Sequence, residues 1–142
     1  MRIAIDTNCL ISALVNLSGT CAWIVSAWLD GRVEAVASEA TAREAELVLG
    51  GRWLARRVGR EKVDDLLKRL RAQTVWVEAP ARISDLRLKD EGDLRMVETA
   101  VAGGARYVAT TDREFLSRRG YGEVEFVTPG ELLRRLEEAP LS

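Results

Sequence analysis

The segment Arg2-Ile3-Ala4-Ile5-Asp6-Thr7-Asn8 decides how the rest of the chain is read. Ile3 to Ile5 is a short apolar run containing β-branched residues, which predicts a buried strand. The run stops at Asp6. Thr7 and Asn8 are cap-type residues, and Leu10, Ile11, Leu14 and Val15 follow at helical spacing. Asp6 therefore stands where a strand hands over to a helix. In an open α/β sheet the carboxyl ends of the strands face the ligand. Asp is also a preferred N-cap. Position alone leaves Asp6 as either a cap or a functional carboxylate.

The same alternation continues downstream. Asn16 to Thr20 reads as a loop and Cys21 to Leu29 as a buried apolar helix ending at Asp30-Gly31. Val33 to Ala37 is a second strand, and Ser38 caps a helix over Glu39 to Leu49 that Gly50-Gly51 closes. Trp53 and a basic stretch lead into a helix marked by Val63, Leu66, Leu67 and Leu70. Thr74 to Glu78 is strand three, and 81–91 is a loop. A helix from Gly92 to Ala102 ends at Gly103-Gly104, and Tyr107 to Thr110 is strand four. A short helix through Phe115 and Leu116 precedes strand five, Val124 to Val127. Thr128-Pro129-Gly130-Glu131 is a capping box that opens a last helix. Strands alternating with helices predict an α/β three-layer sandwich. Its central sheet is mainly parallel and five-stranded, with helices on both faces. Length and the lack of repeats or linkers predict one domain over 1–142.

Composition narrows the chemistry. An apolar fraction of 47% excludes a disordered chain. No run approaches the roughly 20 apolar residues that cross a membrane, and the opening residues are not expected to act as a secretory signal. There is no histidine, and Cys9 and Cys21 lack a C-x-x-C spacing, so a Cys/His zinc site and His-based acid–base chemistry are excluded. Cys9 reads as a buried thiol of a reducing cytoplasm, the expected location. The net charge of −1 conceals an asymmetry: eight of the 21 basic residues but three of the 22 acidic ones lie between Arg52 and Arg71. A basic segment on an acidic body suits a polyanionic partner. Taken alone, the segment is more plainly a solvated helix face.

The carboxylates carry the functional reading. Asp112 stands beyond strand four as Asp6 stands beyond strand one, and parallel strands bring both to one sheet edge. Asp93 lies in the first turn of the helix feeding strand four, with Asp90 and Glu91 before it. Glu44 or Glu46 sits on the helix after strand two, and periodicity does not choose between them. Each acid alone has a plain explanation as a cap, a dipole partner or a surface group. Together they repel one another and must protonate or hold cations. Oxygen ligands without His or Cys suit Mg²⁺ or Mn²⁺, and such sites serve phosphoryl transfer.

At this point the sequence resembles a known family. The opening I-A-I-D-T-N-C-L-I-S-A-L, the later A-G-G-A-R-Y-V-A-T-T-D-R-E-F-L and the closing V-T-P-G-E-L-L are similar to PIN domains. The closest resemblance is to small prokaryotic PIN nucleases described as toxins of toxin–antitoxin pairs. It runs from Arg2 to about Leu136. The resemblance implies metal-binding and catalytic roles for Asp6, Glu44, Asp93 and Asp112, with Asn8 and Thr110 as polar supports. It favours Glu44 over Glu46. Where many PIN domains have consecutive acids, this chain has Gly92 before Asp93, so Asp90 is the candidate for the supporting acid.

The resulting expectation is a Mg²⁺- or Mn²⁺-dependent endoribonuclease, acting as a toxin with a small antitoxin partner. Single-stranded RNA is the expected substrate, with Arg52, Arg56, Arg57 and Arg60 against its backbone. The resemblance also implies a homodimer or higher oligomer, for which Trp23, Trp28 and Trp53 are interface candidates, although Trp23 and Trp28 in so apolar a helix suit a core. The alternative is a PIN-fold RNA- or protein-binding module with little or no catalysis. A phosphatase with an Asp nucleophile needs a second Asp where this chain has Asn8, and a receiver domain needs a Lys beyond Lys89.

Overall fold

Period-two alternation along the central strands sorts their side chains onto two faces, and helices cover both. The protein is described by a computed structural model over residues 1–138. Residues 139–142, the end of the expected 1–142 domain, lie outside the described residues. The elements in order are β1 (Arg2–Ile5), α1 (Thr7–Val15), α2 (Thr20–Leu29), β2 (Glu34–Ser38), α3 (Glu39–Leu49), α4 (Arg52–Val58) and α5 (Arg60–Ala72). There follow β3 (Val75–Val77), α6 (Glu91–Ala102), β4 (Tyr107–Ala109), α7 (Arg113–Ser117), β5 (Gly120–Tyr121), β6 (Val124–Val127) and α8 (Pro129–Glu138).

The sheet order is β3-β2-β1-β4-β6-β5. All neighbours run parallel except β5 against β6. The chain winds outward from β1 to β2 and β3 on one side, then returns to place β4 and β6 on the other. Winding thus reverses between β1 and β4, and the crevice at such a switch point is where α/β sheets take ligands.

Ile3, Ile5, Tyr107 and Ala109 point to one face, where they pack with Cys9, Leu10, Ile24, Trp28, Leu49, Val63 and Leu132 from α1, α2, α3, α5 and α8. Ala4 and Val108 point to the other, against Met96, Val97 and Ala100 of α6 and Phe115 of α7. Phe115 meets Phe126 edge-on with ring centroids 4.8 Å apart. Cys9 and Cys21 are free and buried. Among the described residues no single helix is long and apolar enough to cross a membrane.

Two features depart from the sequence reading. The sheet has six strands, not five, because Gly120 and Tyr121 pair antiparallel with Val124 and Glu125. Two residues are too few to show a period. The turn around them uses positive φ at Arg119 (64°) and Gly122 (59°). The basic stretch is also a helix of its own. Gly59, at φ 96°, separates α4 from α5, and α4 buries little beyond Leu54, so no apolar stripe announced it.

The tryptophans of α2 divide. Trp28 is 1% exposed and donates from Nε1 to the Gln73 carbonyl at 2.6 Å, whereas Trp23 is 56% exposed. Trp53 is exposed as well. Trp28→Ala is expected to cost about 3–5 kcal/mol in urea denaturation, and Trp23→Ala, on the same helix, less than about 0.5 kcal/mol. Equal costs would contradict this account of the core.

Candidate active site

Three helix starts meet at the switch point, and each is capped by an acid. Asp6 follows β1, and its Oδ1 accepts the Thr7 N–H at 2.8 Å at the start of α1. Asp112 follows β4 by three residues, and its Oδ1 accepts the Phe115 N–H at 3.1 Å at the start of α7. Asp90 caps α6, its Oδ1 accepting the Gly92 N–H at 2.7 Å. The cap readings of Asp6 and Asp112 are therefore correct, Asp90 is a third cap, and the caps place these carboxylates in one region.

Thr110 joins two of them. It is fully buried, its hydroxyl donates to Asp6 Oδ2 at 2.8 Å, and its oxygen accepts the Asp112 N–H at 3.1 Å. The adjacent backbone bond runs from the Asp6 N–H to the Ala109 carbonyl at 3.0 Å. Both oxygens of Asp6 are thus fixed, and the residue is only 6% exposed. Burial raises the Asp6 pKa; the bonds from Thr110 and Thr7 work against that, and the charges of Asp112 and Asp90 add to it.

Asp93 and Glu44 complete the group from α6 and α3. Burial first, then the charges of Asp6, Asp90, Asp112 and Glu44, push the Asp93 carboxyl up to about 7. Glu44 is raised by burial, then by Asp90 and Asp6. Glu46 turns the other way: it pairs with Arg71 of α5, which also holds Glu39. The helix therefore presents Glu44 to the other acids and spends Glu46 on packing α3 against α5. Among the described residues, the carboxylates of Asp93 and Glu44 have no hydrogen-bond partner.

The acids reach this region because their helices are anchored behind them. Ser38, at the end of β2, caps α3, and its hydroxyl meets that of Thr99 in α6 at 2.7 Å. Glu98 of α6 is buried, accepts the Ile83 N–H at 2.8 Å and pairs with Arg95. That bond fastens the long loop before α6. Glu98 was not singled out in the sequence, where a lone Glu in a helix reads as a surface residue; no local pattern marks it.

The remaining sequence candidates make no hydrogen bond or ion pair to the group among the described residues. Asn8 is exposed and has no hydrogen-bond partner among the described residues. Arg52, Arg56, Arg57 and Arg60 are exposed and make no ion pair among the described residues. Arg69 and Arg71, from the same basic segment, are occupied by Asp65, Glu39 and Glu46.

An all-oxygen donor set, part buried and sharing one negative field, fits a hard divalent cation. As they stand, no three acidic or thiol groups among the described residues enclose a single ion position. Asp6 is fixed by its bonds. The Glu44 and Asp93 carboxylates accept no such bonds among the described residues.

Comparison with known proteins agrees with the fold. The family model described as PIN domain matches residues 2–114. No curated protein matches the sequence. Among solved structures, a chain in the crystal structure of VapBC2 from Rickettsia felis, bound to a DNA fragment from their promoter, is similar in fold. The TM-score is 0.63 and the identity 13%, with 90% of this chain and 98% of that chain covered.

The Asp93 environment sets a pH dependence. Between the ordinary Asp value of about 3.9 and the folded value of about 7, the folded metal-free protein holds a proton that the unfolded chain has released. Its stability contribution is full below about pH 4 and is lost as pH rises through about 7. Asp93→Asn is expected to raise the metal-free melting temperature more at about pH 8 than at about pH 5. A difference that does not change with pH would refute the crowding.

Proposed function

This chain belongs to the PIN domain family, and on that footing we propose that it is a metal-dependent ribonuclease that hydrolyses phosphodiester bonds. One arrangement carries the reading: five acids from four regions of sequence gather at one place, where burial first and then the charges of the other four push the Asp93 carboxyl up to about 7. Such a cluster favours uptake of Mg²⁺ or Mn²⁺ over an empty, partly protonated state. Asp6, Glu44, Asp93 and Asp112 are the proposed ligands. A divalent cation held there would lower the pKa of a water enough to make it a nucleophile toward phosphorus at neutral pH, and would offset charge on the leaving oxygen.

The protein's own part is positioning. The Thr7 N–H and Thr110 hydroxyl hold the Asp6 carboxylate in one orientation, so metal uptake does not have to order it. Thr110 also ties the Asp112 backbone to the same point. Asp90 adds negative charge at the rim while fixing the start of α6. The phosphate backbone of the substrate would be met by Arg52, Arg56, Arg57 and Arg60, whose charges are not spent on ion pairs among the described residues. Single-stranded RNA is the proposed substrate, because an unpaired strand can bring one phosphate into a recessed acidic site.

We further propose a toxin role in the cytoplasm, with a small DNA-binding antitoxin as partner and a homodimer as the working unit. The sequence resemblance to toxin-type PIN proteins supports it, as does the shared fold with a chain of VapBC2.

Asp6→Asn is expected to lower cleavage of single-stranded RNA by about 100-fold or more without changing the circular dichroism spectrum. Excess EDTA should abolish wild-type cleavage and Mn²⁺ restore it. Undiminished cleavage in either arm would overturn the metal-dependent assignment, whereas a wild type that neither cleaves nor takes up Mn²⁺ would be a binding module. Thr110→Val keeps the buried shape but removes the bond to Asp6, and is expected to weaken Mn²⁺ binding about 10- to 100-fold in calorimetry.

A further inference from the structure

Gly92 occupies the second position of α6, immediately before Asp93. Its φ is not positive, so the backbone there does not require glycine. Helix propensity favours Ala at such a position. The reason for glycine lies in space. A Cβ built on Gly92 would overlap both carboxylate oxygens of Glu44 and stand 2.5 Å from its Cδ. Glu44 thus lays its carboxylate across the bare Cα of Gly92, within reach of the charges of Asp90 and Asp6. The Gly92 N–H meanwhile donates to Asp90, which fixes the surface on which Glu44 rests.

We propose that Gly92 is a positioning residue: the missing side chain is a slot that seats the Glu44 carboxylate within the acid cluster. This rests on the metal-site reading above. The atoms displaced by a larger residue are the far end of a flexible side chain, not backbone. A methyl group at position 92 therefore costs the fold little and swings Glu44 out of the cluster. It also accounts for the interruption of the acidic run Asp90-Glu91-Gly92-Asp93: a third consecutive acid would take the volume that Glu44 fills.

The test is a double-mutant cycle read by Mn²⁺ binding, using calorimetry and the electron paramagnetic resonance signal of free Mn²⁺. Gly92→Ala is expected to weaken Mn²⁺ uptake about 10-fold or more, while the metal-free melting temperature stays level or rises. In a Glu44→Ala background, which keeps Asp6, Asp93 and Asp112, adding Gly92→Ala should change the affinity less than about twofold. Wild-type-like Mn²⁺ binding by Gly92→Ala overturns the proposal. So does a loss that persists undiminished without Glu44, since the methyl group would then act by another route. Failure of the wild-type protein to bind Mn²⁺ is a different result: it overturns the metal-site reading itself, and this inference with it.

Discussion

The hydroxyl of Thr110 and the carboxylate of Asp6 meet where the winding of the sheet reverses, and the rest of the site depends on that bond. It joins the ends of β1 and β4, two strands separated by about a hundred residues of sequence. It also holds a buried carboxylate where burial and neighbouring acids make its charge expensive. A free side chain would turn toward solvent and relieve the repulsion. Asp6 is bonded at both oxygens and does not have that freedom.

The same economy runs through the cluster. Asp6, Asp90 and Asp112 each cap a helix, so each is held by the fold and opposes the positive end of a helix dipole. Three rigid acids therefore come at little extra cost to folding. The two others, Glu44 and Asp93, are held by no hydrogen bond among the described residues. The bonded acids supply a preset frame of the kind that orients metal ligands.

What the sequence made legible follows from what is local. The end of the first strand at Asp6, the caps at Ser38 and Thr128 and the α3 limits at Glu39 and Leu49 all come from neighbouring residues, and the structure has them, while β4 ends one residue earlier than expected, at Ala109. The convergence of Asp6 with Asp112 was readable because parallel strands share an end. The direction of Glu44 was not, since helical periodicity placed Glu44 and Glu46 alike beside the apolar stripe. Arg71, distant in sequence, takes Glu46 away from the site. Glu98 was invisible for the same reason: its partner Ile83 lies in a loop without pattern. The helix α4 and the strand β5 escaped notice because one buries almost nothing and the other has only two residues.

The rims of the sheet bear on how this protein can meet others. Its border strands are β3, with three residues, and β5, with two. An extended peptide laid along either border would find two or three backbone rungs, too few to anchor it by strand addition. Short borders of this kind also discourage edge-to-edge stacking into fibres. Recognition by another macromolecule therefore falls to side chains on the helices, a surface that evolution can retune one residue at a time without touching the hydrogen-bonded frame.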